Sequence, residues 1–431
     1  MKKFTLGSVV AIFISTSFSV PAQVPPVDPP KVRDRVVVTD MLPPARHIPS
    51  KAPIARPTPI VVQSTSPNRV SEGPADEIND RPENTAAKVT LPRGFGFAAI
   101  KGKIAEAKRM LKTRPLPTAS AESTTPLDFV RIAFHDWETG EIDFVFMSKE
   151  AFLSTAGPKQ VVSQEGKALT ARTIRGNGVN TPITLIDENG TNHLPLLVQY
   201  PVIRNGKYIE TAYYMSTHPG LVTPEVVNAG RLYVRNVIDA AREQLRQRGI
   251  TIQPKIADIA ERLAAVEHVD HLRFRTEFHP NIYNDIYTLF ALNEGQTYRY
   301  AVSSAGAGGM VQMIPSTYRM VRSWHPNVPL NPDFVEGMQD HLNASKAMLL
   351  YMQRTWNDLN SSPTVNAAIA AGFATQEHLM AAGYNSNPAR LPAYISRGGT
   401  NWATLIPRET RIYLQIYDSI ERHVPMSPRI R

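Results

Sequence analysis

The spacing of apolar and polar positions divides the chain into stretches of different texture. Phe4 to about Phe18 is a short apolar run behind Lys2 and Lys3, and it leads into Val20-Pro-Ala22. From about Gln23 to Pro92 proline is dense and apolar residues recur at no regular period. Segments such as Val24-Pro-Pro-Val-Asp-Pro-Pro30 exclude helix and central strand, because proline lacks an amide donor and fixes φ. A disordered or extended tether is expected over 23–92. Phe97, Ile100, Ile104, Ala107 and Leu111 then recur at helical spacing, with Lys101, Lys103, Lys108 and Arg109 largely on other faces. That pattern predicts a helix, either packed on a neighbour or lying on a membrane surface.

Between Leu127 and Ser216 the period changes to that of strands. Asp128–His135 and Glu141–Met147 alternate around a Glu138-Thr-Gly140 turn. Ile183–Ile186 leads into Asn189-Gly190, and Leu194–Ile203 leads into Asn205-Gly206 before Lys207–Met215. Asn-Gly between apolar runs is a strong hairpin signal, since both residues tolerate positive φ. The stretch 93–220 reads as a small antiparallel β-rich module with one N-terminal helix. It shows no cluster of acids, histidines or nucleophiles, so binding or docking is expected of it rather than catalysis.

Helices take over at Thr223, an N-cap followed by Pro224 at the first helical position, with Gly249 as the stop. A second helix is expected over 254–269 and a third over 280–293, where Ile282, Ile286 and Phe290 form one stripe. The fold class is therefore α+β, with a mainly helical domain over 221–431 behind the β-rich module.

Composition adds location. Lys2 and Lys3, the short apolar run and the small residues at Ala22 read as a secretory signal peptide over 1–22, which makes the mature chain periplasmic or secreted. Contact with a membrane is then expected only transiently, through that signal. With 431 residues, 42% of them hydrophobic, and no cysteine, the core and not disulfides must stabilise the fold. The formal charge of +9 suits an anionic partner. Export argues against nucleic acid as that partner and favours cell wall or a lipid surface.

The candidate chemistry lies in the helical part. Glu294 follows the third helix and precedes Gly295, a residue type common just past a helix end. A carboxylate there meets the negative pole of the helix, and an aromatic stripe desolvates it; both favour the protonated form that a glycosidic acid needs. Ser303-Ser-Ala-Gly-Ala-Gly-Gly-Met-Val-Gln312-Met-Ile-Pro315 follows in one loop. Later come Asn343 with Leu350-Tyr351, then Tyr384-Asn385, then Pro407-Arg-Glu409-Thr-Arg-Ile-Tyr413.

In this order the features resemble the catalytic domain of the soluble lytic transglycosylase family, which has a goose-type lysozyme-like fold; the resemblance covers about residues 275–420. It implies a peptidoglycan lytic transglycosylase with Glu294 as single acid and base. The sugars would be held by Ser303, Gly309, Met310, Gln312, Tyr384 and Asn385. Glu294 would protonate the β-1,4 bond between N-acetylmuramic acid and N-acetylglucosamine, the substrate's N-acetyl group would stabilise the developing cation, and a 1,6-anhydro end would form. No cofactor or metal is implied, and no second carboxylate stands at an obvious partner position. The expected partners are peptidoglycan strands and, beyond them, other envelope or secretion-apparatus proteins.

Two departures from the family pattern stand out: Gly295 replaces the usual Ser after the acid, and Gly309-Met310 replaces Gly-Leu. Hydrolysis, as in a true lysozyme, is an open alternative. So is a non-catalytic wall-binding or secretion-scaffold protein with a degenerate lysozyme-like fold. A third reading is a metal enzyme on Glu267, His268 and His271, although the HExxH spacing is absent. Asp333, Glu336 and Asp340 are expected at caps or on the surface.

Overall fold

The stripe of Ile100, Ile104, Ala107 and Leu111 becomes the buried face of helix α1 (Phe97–Lys112). It packs against Ala133, Phe144, Leu194 and Leu197 of a sheet, so this helix is covered by protein. The computed structural model describes residues 95–116, 128–204, 207–293 and 306–430. The expected signal peptide and tether lie outside these residues.

The sheet is built from β1 (Phe129–His135), β2 (Ile142–Ser148), β3 (Lys159–Val162), β4 (Ala168–Thr173), β5 (Ile183–Asp187), β6 (Asn192–Arg204) and β7 (Lys207–Met215), with a short helix α2 (Lys149–Leu153) after β2. Its order is β2-β1-β6-β5-β4-β3, with β7 also on β6. Every pairing is antiparallel. The two ends of the path meet through a bridge from Val145 to Ser163, which curls the sheet to a near-barrel. Strand period 2 then sends Ile132 and Val198 into the interior and their neighbours Ala133 and Leu197 beneath α1.

One expectation for this module is corrected. Acids and a histidine do cluster, because the topology brings strand ends together that are far apart in sequence. His193 is fully buried, with Nδ1 3.3 Å from Asp136 Oδ1 and Nε2 3.2 Å from Asp187 Oδ2. The Lys167 ammonium lies 2.6 Å from both Asp136 and Glu138. Burial opposes ionisation of Asp136, yet Lys167, a backbone amide and His193 outweigh it and hold the carboxyl below its usual range. With Asp136, Asp187 and His193 all buried, the cluster ties one end of the sheet and offers no open site.

Eleven helices follow among the described residues: α3 (Pro224–Arg246), α4 (Pro254–Val266), α5 (His271–Thr276), α6 (His279–Leu292), α7 (Pro315–Trp324), α8 (Phe334–Gln339), α9 (His341–Asn360), α10 (Pro363–Ala370), α11 (Gln376–Asn385), α12 (Leu391–Gly398) and α13 (Arg408–His423). The first starts as expected, with Thr223 Oγ1 accepting the Val226 amide and Pro224 at the first position. It crosses α6 so closely that a Cβ at Gly230 would lie 1.9 Å from the Tyr287 carbonyl oxygen. The second helix stops at Val266 and not at 269, with Glu267 as its C-cap.

Helix α9 runs through the core and buries Ala344, Ala347, Met348, Leu349 and Met352 completely. The chain end straps α3 and α4 together: Arg429 is 2.6 Å from Asp239, 2.9 Å from Asp258 and 2.6 Å from Glu261. All described residues belong to one compact unit, Pro57–Arg431. The α+β class holds: a curled antiparallel sheet precedes a helical region.

Candidate active site

Five of the residues expected to hold sugar lie close together: Gly309, Met310, Gln312, Tyr384 and Asn385. Glu294 and Ser303 lie outside the described residues. The residues just before Glu294 are described, and Ala291 and Leu292 pack in the core shared by α1 and the sheet.

The Gly-rich segment is a tight turn braced by its own backbone. The Gly308 amide donates to the Met313 carbonyl at 3.3 Å. Gly309 has φ +71, and a Cβ there would lie 2.1 Å from the Met338 carbonyl oxygen, so only glycine fits. Gln312 takes the left-handed φ of 46, unusual without glycine. Its side chain compensates by donating from Nε2 to the Gly309 carbonyl at 2.8 Å. The amide is thus committed inward, a role the sequence does not reveal. Met310 and Val311 are fully buried and anchor the turn.

Two carbonyls of this turn are claimed by neighbouring elements. His268 Nε2 donates to the Met310 carbonyl at 2.9 Å. The Tyr384 hydroxyl, on α11, donates to the Val311 carbonyl at 2.7 Å. Asn385 Oδ1 accepts from Thr410 Oγ1 of α13 at 2.8 Å. These bonds draw α4, α11 and α13 around the turn.

At their meeting point stands Glu267. Its Oε1 accepts from the Tyr413 hydroxyl at 2.6 Å. Burial pushes the Glu267 carboxyl up to about 8; the Tyr413 bond opposes this and the charge of Glu409 adds to it. Its position past the last turn of α4 works the same way, because the helix end is electronegative. Burial, and after it the Glu267 charge, raises the Tyr384 hydroxyl well above its ordinary value, so the phenol remains a donor. Burial pushes His268 down to about 4, leaving a neutral ring with its proton on the nitrogen facing Met310.

The arrangement is a carboxylic acid that holds its proton near neutral pH, beside a tight glycine turn packed against Met338. Glu409, exposed at the start of α13, interacts electrostatically with Glu267; the expectation that no carboxylate partners Glu294 lies outside the described residues. Glu267 meets the same sequence criterion as Glu294, a glutamate at a helix end ahead of the Gly-rich segment. Extending α4 to 269 hides it by placing it inside the helix, where His268 and His271 invite a metal reading. In the structure the Nε2 of His268 is spent on a carbonyl. Among the described residues no group of three or more His, Asp or Glu side chains is arranged to hold a metal ion.

The remaining motif residues serve the frame. Asn343 is buried and bonds the Tyr318 hydroxyl, the Gly337 carbonyl and the Asn331 amide. Asp333 and Asp340 cap α8 and α9, as their spacing suggests. Comparison of the chain with protein-family models, with curated proteins and with solved structures finds no match.

Proposed function

We propose that the protein is a peptidoglycan lytic transglycosylase in which Glu267, rather than Glu294, is the single acid and base. The observation that carries this reading is the Glu267 carboxyl itself, pushed up to about 8 and hydrogen-bonded by Tyr413 at 2.6 Å. It stands where the Gly309–Gln312 turn, Tyr384 and Asn385 converge. The lysozyme-like character of the helical region belongs to the same proposal. Where the family pattern has Ser after the acid, this chain has His268, which bonds the substrate-side turn through Met310.

In the reaction, protonated Glu267 donates its proton to the β-1,4 oxygen between N-acetylmuramic acid and N-acetylglucosamine, and the C1–O bond breaks. The substrate's N-acetyl oxygen bonds to C1 in place of a protein nucleophile. Glu267, now a carboxylate, removes the proton from the muramyl 6-hydroxyl. That oxygen attacks C1, displaces the acetamido oxygen and closes the 1,6-anhydro ring. Both protons are accounted for and no water is consumed. The proposal keeps the protein exported to the periplasm or beyond, with glycan strands as its partner and with envelope or secretion-apparatus proteins as further partners.

Glu409 supports a second reading, hydrolysis, in which a second carboxylate activates water. Mass spectrometry of the products released from purified peptidoglycan separates these. Anhydro-muropeptides whose release survives Glu409→Gln support transglycosylation. Reducing-end products that vanish in Glu409→Gln support hydrolysis. Glycan binding with no product supports the scaffold alternative.

A further inference from the structure

The end of α3, the connection between α7 and α8 and the second turn of α9 border an open cleft of about 470 Å³. Small-molecule sites run from roughly 300 to 1,000 Å³, so the cleft has room for a sugar. Its apolar lining is Leu245 and Val328, both buried, and Pro329, which is exposed. Its polar lining includes Arg248, Lys346 and the side-chain amides of Gln244 and Asn327, and no carboxylate. None of these residues belongs to the Gly309–Gln312 turn or to the surroundings of Glu267.

The two cations of the cleft have no partner within the protein. Lys346 is half-buried on α9, and burial lowers its pKa; Asp340 opposes this and Arg248 adds to it, so the two cations stand close enough to repel. Among the described residues neither makes an ion pair or a side-chain hydrogen bond. The nearby carboxylates are engaged elsewhere. Asp340 caps α9 by accepting the Leu342 and Asn343 amides, and Glu243 takes Arg246 and Gln247. Capping α3 does not hold the cations either, because the Leu245 carbonyl accepts the Arg248 and Ile250 amides and the Arg246 carbonyl accepts that of Gly249. The cleft beneath the C-terminal strap is different, since its charges are matched: Lys255 pairs with Glu377, and Arg262 with Glu421 at 3.6 Å. Two cations brought together in a partly desolvated cleft without an acid are relieved by a bound anion.

From this we infer that the cleft between α3 and α9 is a second ligand site, which binds a sugar carrying a carboxylate or a phosphate. The anionic oxygens meet Arg248 and Lys346, both of which donate to either oxyanion. The hydroxyls meet the Gln244 and Asn327 amides, which donate and accept. The apolar face of the ring lies against Val328 and Pro329. That the anion is carried by a sugar rests on the glycan reading above; the anion contact does not.

Titration of the full-length protein, followed by NMR, tests it with four probes: N-acetylmuramic acid, N-acetylglucosamine 1-phosphate, neutral N-acetylglucosamine and inorganic phosphate. Lys346→Gln is expected to weaken binding of an anionic sugar about tenfold, as for loss of one charge-assisted hydrogen bond. Lys346→Gln with Arg248→Gln should weaken it further, Lys346→Arg should keep most of it, and none of these should change the response to N-acetylglucosamine. A loss confined to N-acetylmuramic acid assigns a sugar carboxylate, and one confined to the sugar phosphate assigns a phosphate. No binding of either anionic sugar by the wild type, no weakening in the double variant, or equal weakening of N-acetylglucosamine overturns the inference. Inorganic phosphate bound as tightly as the sugar phosphate overturns the sugar assignment. Absence of cleavage products from the wild type while the contrast persists sinks the cleavage reading and leaves the anion contact standing.

Discussion

At Glu267 a partly buried carboxyl accepts at 2.6 Å from a phenol that cannot ionise in the working range; burial outweighs that bond and keeps the proton on the carboxyl up to about pH 8. Such a group has a cost that can be measured. Its folded-state pKa lies above the ordinary 4.5. The protonated form therefore adds stability that is complete below pH 4.5 and is lost as pH rises through 8. Glu267→Gln, which keeps the shape without the charge, should raise the Tm above wild type by a few degrees at about pH 9 and change it little near pH 4. Scanning calorimetry at the two pH values checks this. A variant equally shifted or destabilised at both would mean that the carboxyl is not desolvated in the folded chain.

Among the elements, long periodic ones are legible in sequence and short ones are not. The stripes of α1 and α6 mark their buried faces, and the Asn-Gly turns mark the hairpins of β5, β6 and β7. Strands β3 and β4 escape notice because β3 buries no residue fully and β4 buries only every second one, with Lys, Gln, Thr and Arg among the rest. Glu267 escapes notice because a helix boundary is displaced by three residues, Val266 against 269. Gln312 is legible as a candidate, but its left-handed backbone and inward amide depend on tertiary contacts.

The close crossing of α3 and α6 is likewise invisible in sequence, and it makes opposite predictions for two helical glycines. Gly230→Ala drives a methyl against the Tyr287 carbonyl, 1.9 Å away, and should cost about 2–3 kcal/mol in urea unfolding. Gly102→Ala in α1, where nothing lies within 4 Å, should stabilise by about 0.5–1 kcal/mol. Equal effects at the two sites would contradict the crossing.

Over the whole molecule, the sheet and the helices are joined through α6. Its Ile282, Ile286 and Phe290 lie in the helical core, and its Ala291 and Leu292 lie beneath α1. Asp285 of the same helix pairs with Arg175, which follows β4. Helix α4, capped by Glu267, is fixed from the other side by the C-terminal strap. Arg429→Ala leaves Asp239, Asp258 and the buried Glu261 without their shared cation, and should cost on the order of 3–5 kcal/mol. Urea unfolding reads this directly, and a loss below about 1 kcal/mol would mean that the strap is an ordinary surface contact.

The account depends most on which glutamate is the acid, and one comparison tests it: anhydro-muropeptide release from peptidoglycan by wild type, Glu267→Gln and Glu294→Gln, followed by mass spectrometry. The account predicts that Glu267→Gln releases nothing measurable while Glu294→Gln retains activity within about tenfold of wild type, a change below that expected for loss of a general acid. Activity that survives in Glu267→Gln and disappears in Glu294→Gln would contradict it and return the chemistry to the end of α6.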